Sequence, residues 1–310
     1  MELIRGLHNL RPRHRGCVAT LGAFDGVHHG HSEVLQKLMS KGRELGLPSV
    51  VILFEPLPRE YFSPRDAPAR LTNFRERYIA LKALGIDRIL LIRFCEKFRR
   101  MAANDFIQQV IVDALGVRYL VAGDDTRFGH NREGDLAALK QAGSEYGFEA
   151  ADTKTLQVHE ARVSSTRIRQ ALNQAEFGQV EQLLGRPFSI YGRVVMGKQL
   201  GRQLGVPTAN IQLQRIRSPL SGVFAVEVEG AVEGKRYGVA NVGTRPTVDD
   251  GMQANLEVHL LDFDQDIYRQ QLKVTFRHKI REELKFDSLE ELKAAIASDI
   301  LAGRQFFNLN

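Results

Sequence analysis

Two stretches of this chain place phosphate-handling residue types at close spacing. The first is Gly22-Ala23-Phe24-Asp25-Gly26-Val27-His28-His29-Gly30-His31. Gly26 and Gly30 permit tight turns and close approach of a phosphate. His28 and His31 can donate hydrogen bonds to oxygens that gain charge in a transition state. No Gly-Lys-Ser or Gly-Lys-Thr follows, so this is not a Walker loop, and it lacks the G-x-G-x-x-G fingerprint. Zinc is disfavoured, because no Cys or Glu nearby completes a tetrahedral set.

The second stretch is Gly197-Lys198-Gln199-Leu200-Gly201-Arg202-Gln203-Leu204-Gly205-Val206-Pro207-Thr208-Ala209-Asn210. Gly197, Gly201 and Gly205 free the backbone beside a phosphate. Thr208 and Asn210 offer oxygens to a magnesium ion bridging the phosphates of ATP. Two further polar strings are Arg162-Val163-Ser164-Ser165-Thr166-Arg167-Ile168-Arg169 and Val121-Ala122-Gly123-Asp124-Asp125-Thr126-Arg127-Phe128-Gly129. Arg167 and Arg169 supply forked donors suited to triphosphate oxygens.

Each residue also has a plainer reading. A single histidine is more often a surface or capping residue. Ser164, Ser165 and Thr166 can cap a following helix. Glycines at 197, 201 and 205 suit a turn in a barrel. Glu257, alone on a strand, would ordinarily be a solvated face residue.

The elements that must hold these strings alternate in the first half of the chain. Hydrophobic patterning predicts strands over 17–21, 49–54, 88–94 and 119–122. Between them it predicts a helix over 33–45, one capped by Thr72 and ended by Gly85, and one marked by Phe106, Val110, Ile111, Ala114 and Leu115. This order implies a doubly wound parallel α/β sheet, in which ligands bind beyond the carboxyl ends of strands. The loops 22–31 and 123–132 follow predicted strands, and the polar stretch 162–169 follows the segment 155–159.

After Leu184 the pattern changes, giving an expected division into residues 1–184 and 185–310. Strands are expected over 223–228 and 236–242 as a hairpin, then over 255–263 and 271–280. A final helix opens with a capping box of Ser288 and Glu291 and carries Leu289, Leu292, Ala295, Ile296 and Ile300 on its apolar face. The expected solution is a small antiparallel β-barrel with a terminal helix, since closure removes exposed edges.

The first string resembles the H-x-G-H signature of the nucleotidylyltransferase superfamily. The 121–129 string resembles the G-D-D-F-R-F-G loop of bacterial FAD synthetases, with Thr126 where that family usually has Phe. The 197–210 string resembles the G-R-x-L-G-[FY]-P-T-A-N motif of riboflavin kinases, with Val206 for the aromatic. Ser218-Pro219-Leu220-Ser221-Gly222-Val223-Phe224-Ala225, Asn241-Val242-Gly243-Thr244-Arg245-Pro246-Thr247 and Asn255-Leu256-Glu257-Val258-His259-Leu260-Leu261-Asp262-Phe263 are similar to other segments of that family. In order and extent the chain resembles the bifunctional bacterial riboflavin kinase/FAD synthetases.

The resemblance implies riboflavin kinase and FMN adenylyltransferase activities, with ATP, riboflavin, FMN and FAD as substrates or products and Mg2+ as cofactor. It assigns Glu257 as general base, and His28 and His31 as catalytic residues of adenylyl transfer. ATP for adenylyl transfer falls to Gly22, Phe24, Asp25, Gly30, Ser164, Ser165, Thr166 and Arg167, and flavin there to Asp124, Asp125 and Phe128. ATP for the kinase falls to Gly197, Lys198, Gly201, Gly205, Pro207, Thr208 and Asn210, with Thr208 and Asn210 also as metal ligands.

The two reactions make different demands. A ribityl hydroxyl is a weak nucleophile at neutral pH, and a positioned carboxylate accelerates its attack by roughly 10²–10⁴-fold. The phosphate of FMN is already an oxyanion, so its site can consist of donors alone. A proton acceptor is therefore expected in one half and not in the other.

Composition is that of a globular chain: 310 residues, 43% hydrophobic and 26% charged. The excess of 43 basic over 37 acidic residues gives +6, spread along the chain. That spread suits small anionic substrates or plain solubility better than nucleic acid, and no basic segment is interleaved with stacking aromatics. The opening residues lack a signal-peptide apolar region, and two cysteines make no disulfide framework. A cytoplasmic chain with small-molecule partners is expected, without nucleic acid, membrane or an obligatory protein partner. A cytidylyl- or pantetheine-type adenylyltransferase would leave residues 187–310 without a role. A flavin-binding module that has lost its chemistry would not need Thr208, Asn210, Glu257, His28 and His31 intact.

Overall fold

The computed structural model describes all residues except 124, 153–156, 159–160, 198–200, 202–203 and 247–251. It divides into two compact units, Met1–Ala67 with Arg77–Ser164, and Pro68–Glu76 with Ser165–Asn310.

The first unit is built on a six-stranded sheet with every pairing parallel. Its strands are β1 (Glu2–Arg5), β2 (Cys17–Leu21), β3 (Ser49–Glu55), β4 (Arg88–Arg93), β5 (Val117–Ala122) and β6 (Glu149–Asp152), in the order β1-β4-β3-β2-β5-β6. All five residues of β2 are buried, as a central strand covered on both faces requires. The edge strands β1 and β6 are short and carry few apolar residues, and hydrophobic patterning did not mark them.

The strand order reverses beside β2. From β2 the chain moves to β3 and β4 on one side and reaches β5 and β6 on the other. Strands β2 and β5 are paired neighbours, so the loops leaving their carboxyl ends open from adjacent positions at the switch point.

The first helix, His29–Leu45, starts four residues earlier than the apolar spacing indicated, because His28 caps it; it ends at Gly46 in a left-handed turn. The expected helix over 106–115 is instead α-helical only over Ala103–Phe106 and a π-helix over Ile107–Ala114. The buried residues Phe106, Ile107, Val110, Ile111 and Leu115 do not distinguish the two forms by spacing; the wider turn shows in the Leu115 N–H, which donates to the Val110 carbonyl at 3.1 Å. The cap of the helix Phe74–Ala83 is Asn73 and not Thr72: Asn73 Oδ1 accepts from the Glu76 N–H at 3.0 Å, and Glu76 Oε2 accepts from the Asn73 N–H at 2.7 Å. The box needs its carboxylate three residues after the cap, and only Asn73 has one there.

Strands β7 (Gln157–Val158) and β8 (Ala161–Arg162) pair antiparallel as a separate two-stranded sheet. The second unit is a closed antiparallel barrel of β9 (Ser189–Val195), β10 (Ala209–Gln212), β11 (Gly222–Glu229), β12 (Lys235–Pro246), β13 (Met252–Leu260) and β14 (Gln271–Arg281), in the order β10-β13-β12-β11-β14-β9. Phe224 fills the interior, with Phe276 at 5.3 Å and Phe177 at 6.0 Å between ring centroids. Phe224 is thus a core residue. The helix Leu289–Phe306 packs on β11, β12 and β14. Its Ser288 cap accepts from Glu291, as the sequence suggested, but the Glu291 carboxylate bonds the N–H of Asp287 and not that of Ser288. Leu289 is exposed, so the apolar face begins at Leu292.

Residues 68–76 belong to this unit, and Glu76 is their anchor. Its carboxylate accepts two bonds from Arg215 Nη2, at 2.6 and 2.8 Å, and one from the Tyr191 N–H at 2.8 Å. The Asn73 amide donates to the carbonyls of Tyr191 and Leu213, each at 3.4 Å. Burial lowers the pKa of Arg186, against the opposing charge of Glu76. A buried carboxylate of this kind persists only when paired and hydrogen-bonded.

Candidate active sites

In the first unit, the loop after β2 holds its histidines reciprocally. The His31 N–H donates to His28 Nδ1 at 3.3 Å, and the His28 N–H donates to His31 Nδ1 at 3.4 Å. The two rings stack with centroids 3.7 Å apart. A neutral imidazole that accepts at Nδ1 carries its proton on Nε2. The loop thereby makes Nε2 the donor nitrogen of both rings. Phe24, Asp25 and His28 are buried, and the Phe24 ring lies 4.9 Å from that of His31.

Val163, the residue before Ser164, passes the start of the first helix; its carbonyl is 3.5 Å from where a Cβ on Gly30 would lie. Ser165, Thr166 and Arg167 open the helix Ser165–Asn173 in the second unit. Thr126 closes a turn on Gly123 at 3.0 Å in the loop after β5, and Asp125 is exposed there. Phe128 is buried against Phe106, with centroids 5.5 Å apart. Asp124 lies outside the described residues.

In the second unit the strand register gathers the other set. Asn210 on β10 and Asn241 on β12 both pair with Glu257 on β13. Leu256 and Val258 point into the barrel, so alternation sends Glu257 to the outer face. There Thr208 Oγ1 donates to Glu257 Oε2 at 3.4 Å, and Asn255 Nδ2 donates to Glu257 Oε1 at 2.9 Å. His259 Nδ1 donates to the Pro207 carbonyl at 2.9 Å, tying the end of the glycine-rich string to β13. Gly197 and Gly201 have steric reasons: a Cβ would collide with the Asn210 amide at the first and with the Val206 carbonyl at the second. Gly205 takes a φ of 78°, and Pro207 is exposed. Lys198 lies outside the described residues.

Glu257, Thr208 and Asn210 open into a cavity of about 290 Å³. The apolar side chains of Phe286, Leu292, Ile296 and Ile300 also line it, together with the charged Arg281, Glu283 and Asp299. A cavity that combines a carboxylate, polar groups and apolar side chains suits a ligand with an apolar ring and a polar tail. Asn255, Asn241, His259 and the terminal-helix wall were not singled out from sequence. For Asn255 the available signal was its position two residues before Glu257, on the same face of one strand.

A parallel α/β unit with a histidine-capped helix, followed by a closed barrel with a carboxylate-bearing cavity, defines the class, and comparison specifies it. The family profile of FAD synthetase matches residues 10–167, and that of riboflavin kinase matches residues 184–307. The bifunctional riboflavin kinase/FMN adenylyltransferase of Pseudomonas fluorescens is 51% identical over 98% of this chain and 97% of its own. That of Escherichia coli K12 is 51% identical over 100% of this chain and 99% of its own. This chain belongs to the bifunctional riboflavin kinase/FMN adenylyltransferase family. A crystal structure titled as a macrolide-efflux protein, from Streptococcus pneumoniae, has the same fold, with a TM-score of 0.77 at 31% identity over 98% of this chain and 99% of its own. No described helix of the present chain is long and apolar enough to cross a membrane.

Proposed function

We propose that the chain phosphorylates riboflavin to FMN at Glu257 and adenylylates FMN to FAD at His28 and His31, with the first reaction in residues 185–310 and the second in residues 1–184. The observation that carries this reading is the cavity that Glu257, Thr208 and Asn210 share with apolar side chains of the terminal helix, while the histidine loop supplies ring donors.

In phosphorylation, Asn255 and Thr208 orient the Glu257 carboxylate. Glu257 removes the proton of the ribityl 5′-hydroxyl as its oxygen attacks the γ-phosphorus of ATP; the bond from that phosphorus to the β,γ-bridging oxygen breaks and ADP leaves. Phe286, Leu292 and Ile296 hold the flavin ring. The glycine-rich string from Gly197 through Lys198, Gly201, Gly205 and Pro207 wraps the nucleotide.

The donors here fit magnesium: Thr208 and Asn210 offer hydroxyl and amide oxygens, and no group of three or more His, Cys, Asp or Glu side chains that could cage a metal occurs among the described residues. Mg2+ commonly uses one or two protein oxygens and completes its shell with water and phosphate. Bound by Thr208 and Asn210, it would neutralise charge on the transferring phosphoryl group.

In adenylylation, a phosphate oxygen of FMN attacks the α-phosphorus of ATP and pyrophosphate leaves. His28 and His31 donate from Nε2 to phosphate oxygens, with Ser164, Ser165, Thr166 and Arg167 as further donors and Gly22, Phe24, Asp25 and Gly30 shaping the loop. Asp124, Asp125 and Phe128 belong to the flavin side. The same reading places the chain in the cytoplasm with small molecules alone as partners; its free Cys17 and Cys95 suit a reducing compartment.

The test is incubation of purified protein with riboflavin, ATP and magnesium, followed by chromatography of the flavins. FMN should accumulate first and FAD second. Absence of FMN would remove the kinase assignment, and absence of FAD from supplied FMN would remove the other.

A further inference from the structure

Arg77 is fully buried, yet it lies outside both phosphate-handling strings. Its Nη1 donates to the Ala23 carbonyl at 2.9 Å, and its Nη2 donates to Glu55 Oε2 at 2.5 Å. Both acceptors lie at the carboxyl edge of the parallel sheet: Ala23 two residues after β2, and Glu55 as the last residue of β3.

The loop containing Ala23 is conformationally costly. Phe24 and Val27 have φ of 47° and 43°, in the left-handed region, and a β-branched residue there is an outlier. Such a backbone persists only where its surroundings over-determine it. A trans peptide is planar, so a carbonyl directed one way sends the following N–H the other way. By holding the Ala23 carbonyl, Arg77 fixes the Phe24 N–H facing away from itself. Among the described residues no backbone carbonyl accepts a hydrogen bond from that N–H. Flipping this peptide would replace a donor with a carbonyl in a loop whose partners are anions.

We propose that Arg77 is a positioning residue for adenylyl transfer, locking the 23–24 peptide so that the Phe24 N–H is presented to a phosphate of ATP. The inference rests on the adenylyltransferase reading of this loop. A guanidinium is required because its planar fork serves a carbonyl and a carboxylate at once, whereas an ammonium is a point donor.

The experiment uses the full chain with Arg77→Lys and Arg77→Gln, and measures both activities on each preparation, well below its melting temperature. FAD formation by the unaltered protein establishes the underlying reading, so its failure is separable from failure of the present inference. Arg77→Lys keeps charge and bulk, and should lower kcat for adenylylation about 10- to 100-fold while KM for FMN stays within about twofold. Arg77→Gln should fall at least as far. Riboflavin phosphorylation by the same molecules should stay within about twofold of the unaltered chain. Two results would overturn the proposal: unchanged adenylylation kcat in Arg77→Lys, or both activities declining in proportion to lost folded protein. Should Arg77→Gln not fold, Arg77→Lys alone decides.

Discussion

Asn255 and Glu257 stand two residues apart on one face of β13, and the Asn255 amide donates to Glu257 Oε1 at 2.9 Å. A carboxylate fixed from its own strand keeps one orientation whatever the nearby glycine-rich string does. Glu257→Gln should lower the rate of FMN formation by about 10²–10⁴-fold, because the proton acceptor is gone. FAD formation from supplied FMN should be unchanged. Asn255→Leu keeps the acceptor but loses its orientation, so kcat should fall by less, with KM for riboflavin nearly constant. Steady-state assays of both activities decide.

His28 has an observed role and a proposed one that substitution can separate. It caps the first helix through Nδ1, and in the proposed mechanism its Nε2 donates to phosphate. His28→Asn should keep the cap, since Asn is a good cap residue, and lose the donor. Adenylylation should then drop by about 10²–10³-fold, the usual loss for one preorganised donor. Thermal unfolding should barely move, and phosphorylation should persist. If His28→Asn retained full adenylylation, the ring would be a cap only.

Arg215 and Glu76 form an ion pair whose side chains are 0% and 4% exposed. Arg215 also donates to the carbonyls of Arg70 and Leu71, at 3.2 and 3.4 Å. Arg215→Met strands a buried carboxylate and should destabilise the second unit by about 3–5 kcal/mol. Adding Glu76→Gln should recover part of that loss. Denaturant unfolding of four proteins, the unaltered chain, Arg215→Met, Glu76→Gln and the double variant, measures both effects, and additive losses would show that the pair is not coupled.

Burial pushes the Cys17 thiol up to about 12, with the charge of Arg88 opposing. The unfolded thiol titrates near about 8.5. The folded state therefore retains a proton that the unfolded chain releases, so this contribution is fully present below about pH 8.5 and is lost as pH rises toward about 12. Cys17→Ala should flatten that part of the stability profile. Because Cys17 is 0% exposed and Cys95 is part-exposed, a thiol reagent should label one cysteine in native protein and both in denaturant.

Much of the fold is legible in short windows. The strands 17–21 and 49–54 are continuous apolar runs, and a glycine-rich loop between such a strand and an amphipathic helix has few other readings. The boundaries shift where side chains intervene: His28 extends the first helix, and Asn73, not Thr72, caps the helix Phe74–Ala83. The edge strand Glu2–Arg5 is not legible in the sequence because its pattern is short and largely part-exposed.

The sequence by itself determined the alternation of the strands 17–21, 49–54, 88–94 and 119–122 with helices, and it supplied the expectation of two phosphate-handling strings with a base in only one of them. These follow from spacing along a few residues and from the chemistry of each nucleophile. Tertiary structure alone decided that Asn210 and Asn241 flank Glu257, that the terminal helix walls the cavity, that residues 68–76 join the barrel unit, and that Arg77 grips the Ala23 carbonyl. Those neighbours are tens of residues apart in the chain. Register, closure of the barrel and burial of charge bring them together, and none of these leaves a periodic trace in the local sequence.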